Sequence, residues 1–198
     1  FLTLKDKEAI EKKILDPVVA LFFQICWFFA GRVGDVRQVR RDDFLFNEEE
    51  KTIENNTFFS LTIVFRFGKG AAFWGPYSVK CFLPSNLYKR MKSHVSSFSS
   101  NVSVFTSQNQ LSLSRLMKQN KFNLRSIRKG SLVFYSNINS NNNDLMLLSG
   151  HKRKDTLLRY LGWGAASGEA TRAAVRRLKL LNNDNGSNDD EEGSGDGG

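Results

Sequence analysis

Residues Phe58 to Phe67 read Phe-Phe-Ser-Leu-Thr-Ile-Val-Phe-Arg-Phe, and residues Ala72 to Leu83 read Ala-Phe-Trp-Gly-Pro-Tyr-Ser-Val-Lys-Cys-Phe-Leu. Both stretches are rich in β-branched and aromatic side chains, which suit a pleated, half-buried surface. Gly68-Lys69-Gly70 stands between them as a turn signal. The pair is expected to form a β-hairpin or small antiparallel sheet, with Lys69 carried on the turn.

Working outward, the surrounding chain is helical in pattern. Thr3 followed by Leu4, Ile10, Ile14 and Leu15 predicts a short amphipathic helix capped by Thr3 and halted near Pro17. Val18 to Gly31 is the most apolar stretch and includes Phe22, Phe23, Trp27, Phe28 and Phe29. It is shorter than the roughly twenty apolar residues needed to span a bilayer and holds Gln24, so it is expected as a buried core helix rather than a membrane segment. Nor does it have the layout of a signal peptide. Asp42-Asp43 predicts a turn feeding the sheet, and Pro84-Ser85 closes the sheet and starts a helix over Leu87–Val95. A serine-rich loop, Ser96–Ser103, precedes helical patches at Leu111–Gln119, Ser126–Tyr135, Leu145–Leu148 and Lys154–Leu161, with a polar loop at Asn137–Asn143. A last helix is expected at Gly168–Leu181. The fold class is therefore mainly α with a small antiparallel β-sheet (α+β): one domain over residues 1–181, then an acidic, Gly/Asn-rich tail at 182–198 too polar to order itself.

Composition sets the class of partner. The 198 residues carry 29 Lys and Arg against 20 Asp and Glu, and six of those acids fall in the last fifteen positions. The chain up to Leu181 thus carries +15. Such a surplus points to a polyanion, because each cation that neutralises a phosphate releases condensed counterions. Two cysteines (Cys26, Cys81) and two histidines (His94, His151) are too few for a disulfide framework or a zinc module, so neither a metal nor another cofactor is expected, and a reducing compartment is. The chain begins at Phe1 without methionine, as expected of a piece of something longer.

Common catalytic motifs are missing: Gly68-Lys69-Gly70 is too short for a phosphate-binding P-loop, and no HExxH, GxSxG or CxxC occurs. What remains is an ordered series of cations ending in a tyrosine. Arg32 stands in Gly31-Arg32-Val33-Gly34-Asp35; Lys69 follows; Arg125 and Arg128 lie one helical turn apart in Arg125-Ser126-Ile127-Arg128-Lys129-Gly130; His151 closes Leu148-Ser149-Gly150-His151; Tyr160 ends Leu157-Leu158-Arg159-Tyr160. Taken singly, each has an ordinary reading: a helix-end arginine, a solvated turn lysine, a capping histidine, a half-buried tyrosine.

Taken together, they resemble the catalytic domain of the tyrosine recombinase (phage integrase-like) family, over roughly Leu2 to Leu181. Gly31 to Asp35 resembles that family's first-arginine motif, Asp43-Phe44 falls at its usual acidic position, Gly68-Lys69-Gly70 resembles its lysine motif, and Arg128 its second arginine. Leu148 to His151 resembles the Leu-Gly-His box and Tyr160 the nucleophile. His151 follows Arg128 by 23 positions and Tyr160 follows His151 by nine, both the usual family intervals. One departure stands out, since the family's HxxR motif begins with histidine and here that place holds Arg125. The Ser-Ile-Arg-Lys-Gly wording and the Asn/Ser-rich loops look most like recombinases of DIRS- or VIPER-type retroelements.

The resemblance implies cleavage and rejoining of double-stranded DNA through a 3′-phosphotyrosyl intermediate, in recombination or integration. The catalytic set would be Arg32, Lys69, Arg125, Arg128, His151 and the nucleophile Tyr160. Asp35 would support Arg32 or its neighbours, and Arg40, Arg41, Lys129, Lys152 and Arg153 would face DNA phosphates. It further implies a three-stranded sheet, a tetramer on synapsed DNA with Gly168–Leu181 exchanged between protomers, an amino-terminal clamping domain outside this chain, and a nuclear location in a eukaryote. Two arginine forks suit the non-bridging oxygens and a lysine suits the leaving 5′-oxygen. Arginine at 125 stays protonated and cannot act as a base. Alternatives are a DNA-binding relic that no longer cuts, a type IB topoisomerase-like enzyme, and a structural RNA- or ribosome-associated basic protein.

Overall fold

A computed structural model describes residues 1–138 and 141–161, with the backbone alone at 159 and 160. The expected helix at Gly168–Leu181 and the tail lie outside the described residues, as does the boundary placed between them.

Helix α1 (Leu4–Glu11) begins as expected, with Thr3 and Asp6 forming a reciprocal capping box. It stops at Glu11 rather than near Pro17, because Pro17 starts the next helix. Helix α2 (Pro17–Phe28) has Pro at its first turn, where the missing N–H costs nothing, and Asp16 accepts from the amides of Val18 and Val19 at 2.8 and 3.2 Å. A helix apolar on every face is stable only inside. Accordingly Val19, Leu21, Phe22, Phe23, Ile25, Cys26 and Trp27 are all buried.

Other elements wrap α2. A short helix α3 (Val33–Arg37) and a 3-10 turn (Arg41–Asp43) lead into the sheet. Strands β1 (Phe44–Ile53), β2 (Asn56–Phe65) and β3 (Tyr77–Pro84) pair antiparallel in that order. Helix α4 (Lys69–Trp74) lies between β2 and β3. Helix α5 (Ser85–Ser96) covers the sheet with Leu87, Tyr88, Met91 and Val95. Helices α6 (Ser107–Gln119), α7 (Leu124–Asn137), α8 (Asn142–Ser149) and α9 (Lys154–Leu161) complete the described chain. No described helix is long and apolar enough to cross a membrane.

Two features of the sheet differ from the sequence reading. Gly68-Lys69-Gly70 is not a tight hairpin turn: residues 66–76 intervene between β2 and β3, and Lys69 opens α4. The tight turn is Glu54-Asn55, both at positive φ (49° and 63°), which joins β1 to β2 and matches the strands' twist. Strand β1 itself is the third strand. Its Glu48-Glu49-Glu50-Lys51 run hides the usual alternation, because β1 is an edge strand exposed along most of its length.

The main core joins α2, α5, α6, α7 and the sheet. A smaller cluster of Ala30, Leu132, Leu145, Leu157 and Leu161 fastens α8 and α9 to α7. Gly130 on α7 faces Leu2, which is wholly buried; an added Cβ would overlap the Leu2 carbonyl oxygen. Gly130→Ala therefore sets a helix-propensity gain of up to about 1 kcal/mol against a backbone clash of about 1–3 kcal/mol. Chemical denaturation should show a net loss of about 1–2 kcal/mol; unchanged or increased stability would contradict this packing.

Candidate functional site

The ends of helices α2 and α8 meet α7 beside the small cluster. Helix α2 ends at Phe29-Ala30-Gly31, with Ala30 at φ 44°, in the left-handed region. A helix end leaves carbonyls without intrahelical partners, and here the Ala30 oxygen accepts from Arg128 Nη1 at 2.6 Å. Arg128 Nη2 donates to the Ser149 carbonyl at 2.7 Å, at the C-terminal end of α8. Arg128 is 4% exposed. One buried guanidinium thus joins α7 to the ends of α2 and α8.

Asp35 performs the converse task with a negative charge. It is buried, accepts the backbone N–H of Lys69 at Oδ1 (3.2 Å) and meets Arg32 Nη1 at Oδ2 (3.5 Å). It thus pairs with Arg32 and with the backbone of the lysine loop. Gly68 makes this approach possible: at φ 100° an L side chain would be strained, and an added Cβ would overlap Asp35 Oδ1. Upstream, the other expected acid, Asp43, is buried and accepts from the Arg40 amide (3.0 Å) and Arg66 Nε (2.6 Å), so it anchors the chain leaving β2 just ahead of Lys69.

These ties shape two adjoining depressions. The larger, of about 470 Å³, is lined by Arg32, Asp35, Lys69, Arg125 and Arg128. The smaller, of about 170 Å³, shares Arg32 and Lys69 and adds His151, Lys152 and Arg153, with Phe73 and Trp74. Five of the six residues expected to be catalytic therefore line this pair of adjoining depressions, from four separated segments of chain: Arg32 and Lys69 line both, Arg125 and Arg128 the larger, and His151 the smaller. The sixth, Tyr160, lies on the backbone of α9, three residues beyond the buried Leu157; its side chain is outside the described atoms. Among the expected DNA-facing residues, Lys152 and Arg153 reach the concavity. Arg40, Arg41 and Lys129 do not line it: Arg40 lies 4.5 Å over the Phe67 ring and Arg41 donates to Ser100 Oγ at 3.5 Å. Among the described residues, no three His, Cys, Asp or Glu side chains gather as a metal would require.

Charge within the concavity is unbalanced, and His151 registers it. Burial, with the positive charges of Arg128 and Arg32 behind it, pulls His151 down to about 4, so the ring is neutral at physiological pH. Its Nδ1 lies 2.6 Å from Ser149 Oγ. If the hydroxyl donates to Nδ1, the proton sits on Nε2, where the ring can donate to a substrate oxygen.

Tyr77 was not singled out by the sequence reading. Its ring stacks on Phe65 at 5.1 Å, and it fills the space beside two glycines, so that a Cβ on Gly70 would come to 3.2 Å and one on Gly150 to 3.0 Å. It is the spacer between the lysine loop and the Ser149-Gly150-His151 turn. Gly150, at φ 67°, ends α8 in the left-handed conformation that turns His151 inward. The signal for Tyr77 was only its place after Gly75-Pro76, where a strand restarts.

No protein-family model and no curated protein matches this sequence. Solved structures do. The chain is similar to the catalytic domain of bacteriophage HP1 integrase, with a TM-score of 0.59 at 12% identity, over 87% of this chain and 93% of that one. It is also similar to the Tn1549 transposon integrase in complex with transposon right end DNA (TM-score 0.56, 16% identity, 90% of this chain), and to the XerH site-specific recombinase bound to its difH substrate (TM-score 0.56, 15% identity, 87% of this chain). It spans 65% of the Tn1549 integrase chain and 52% of the XerH chain. The described architecture, a helical domain with a three-stranded antiparallel sheet, is thus the catalytic-domain fold of the tyrosine recombinases.

Proposed function

We propose that this chain cuts and rejoins double-stranded DNA through a covalent 3′-phosphotyrosyl intermediate. The observation that carries the reading is the convergence of Arg32, Lys69, Arg125, Arg128 and His151 on one concavity with no carboxylate but Asp35 among its lining residues. A site so charged is built for an anion, and the +15 of the chain up to Leu181 suits a polyanion. Its structural neighbours include integrases and a recombinase captured with DNA, which supports the same reading.

Each residue then has a part that its surroundings allow. Arg32, about two-fifths exposed at its side chain, meets the non-bridging oxygens, with Asp35 fixing its orientation. Arg128 holds a positive charge in the wall of the cleft while it fastens the loops, and Arg125 adds an exposed cation one turn away. The Tyr160 phenol oxygen attacks phosphorus, the bond to the 5′-oxygen breaks, and the Lys69 ammonium protonates that oxygen as it leaves. Neutral His151 donates a hydrogen bond to the phosphoryl group. In the reverse direction the 5′-hydroxyl attacks the phosphotyrosine, so no external energy source is needed. Arg125 cannot take the phenol proton, which passes to solvent instead. A tetramer on synapsed DNA, a nuclear location in a eukaryote and an origin in a retroelement belong to the same proposal. The second reading, a DNA-binding relic, is favoured by Arg125 alone.

A nicked suicide duplex separates them. The wild-type chain should form a denaturant-resistant DNA adduct whose mapped peptide contains Tyr160, and Tyr160→Phe should abolish it; no adduct with retained DNA binding would favour the relic. Arg125→His should speed cleavage at neutral pH by about tenfold or more, since a positioned base contributes roughly 10²–10⁴. Unchanged or slower cleavage would sink the role given to position 125. Because His151 takes a proton only as pH falls through about 4, kcat/KM should show no inflection between about pH 5.5 and 8 that His151→Gln removes. Such an inflection near 6.5 would mean that the ring is not held neutral by its surroundings.

A further inference from the structure

Helix α4 carries two aromatic side chains that the reaction does not use. Phe73 is 73% exposed and Trp74 is 63% exposed, and both line the smaller depression beside Arg32, Lys69, Lys152 and Arg153. Large adjacent aromatics facing water mark a contact surface rather than ordinary exterior. Their mount is firm. Gly68 lets α4 start against Asp35, Gly70 sets it against Tyr77 and Arg32, Ala71 is buried beneath it, and Gly75 at φ 79° ends it. The backbone that carries the two rings is thus packed against the residues that carry the cations.

An apolar flat surface ringed by cations calls for a ligand with a flat apolar face and a negative charge close by. A nucleobase on its phosphodiester has both. Base–aromatic stacking tolerates any sequence, and apolar wedges inserted at a base step unstack it. An anionic lipid surface also attracts cations and aromatics, but here those groups line a concave pocket with a histidine at its wall, which a flat bilayer surface does not enter.

We infer that Phe73 and Trp74 stack on a nucleobase adjoining the phosphate held by Arg32 and Lys69, drawing that base out of the duplex stack and so positioning the scissile step. The inference rests on the reading of the concavity as a DNA phosphate site. It deepens that reading by naming a base contact specific to this chain's lysine loop.

The test compares short duplexes of equal length, one fully paired and one with a central mismatch bearing 2-aminopurine, at fixed salt. Wild-type protein should bind the mismatched duplex about tenfold more tightly and raise the 2-aminopurine emission. Phe73→Ala/Trp74→Ala should lose most of that preference and the emission change, while Trp74→Phe keeps the larger part of both. Both rings are exposed, so the variants should melt with the wild type. Lys69→Ala should instead weaken both duplexes alike. If Arg32→Ala and Lys69→Ala weaken DNA binding but the double aromatic variant behaves as wild type, the stacking proposal fails and the phosphate site stands. If those cation variants bind DNA as tightly as wild type, or the protein prefers phosphatidylserine vesicles to either duplex, both fall.

Discussion

The buried guanidinium of Arg128 is the interaction on which the site depends. It reaches from the first turns of α7 to the carbonyl of Ala30, 98 positions away, and the carbonyl of Ser149, 21 positions away on the other side. Burying a charge is costly unless its hydrogen bonds are made, and the oxygens offered to it are those that helix ends leave over. Ala30 adopts a left-handed backbone to present its oxygen, a strain of order 1–3 kcal/mol that persists only where the surroundings over-determine it. The same contacts place Arg32 two residues beyond one carbonyl and His151 two residues beyond the other.

Asp35 completes the frame with opposite charge. It takes the Lys69 amide on one oxygen and Arg32 on the other, so one carboxylate ties the lysine loop to the first arginine as a unit. Tyr77 then sets the separation between that unit and the histidine turn, with glycines on both sides where an added Cβ would press on its ring at 3.2 and 3.0 Å. The chemistry proposed for the cleft needs a rigid array of cations facing one phosphate, and preorganised charge avoids the reorganisation that water would require. Burial of the His151 ring, with the positive charges of Arg128 and Arg32 beside it, is also why that ring stays neutral.

Much of this was legible in the sequence, and the failures have physical causes. The apolar run from Val18 and the Thr3 cap announced α2 and the start of α1, since those signals are local. The series Arg32, Lys69, Arg128, His151 was legible through motif wording and intervals, and five of the six expected catalytic side chains do share a concavity. Strand β1 was not legible because Glu48 to Lys51 face solvent at a sheet edge and pack against little that would demand apolar residues. The lysine loop was misread as a tight turn because Gly68 and Gly70 serve close packing on Asp35 and Tyr77, not chain reversal. The partner of Asp43, Arg66, was not legible, since a salt bridge across 23 positions leaves no periodic trace. Tyr77 and the exposure of Phe73 and Trp74 depend on tertiary packing alone. The contacts of Arg40 with Phe67 and of Arg41 with Ser100 are likewise tertiary and leave no trace in the dipeptide.

On this reading the concavity receives a single DNA phosphate. A crystal structure of the chain with duplex DNA carrying an uncleavable phosphodiester analogue tests it most directly. One phosphate should contact the Arg32 guanidinium, with Lys69 and His151 on either side of it and the Tyr160 phenol, from this or a neighbouring protomer, within attacking distance. DNA lying across another face, with the concavity holding no phosphate, would contradict it.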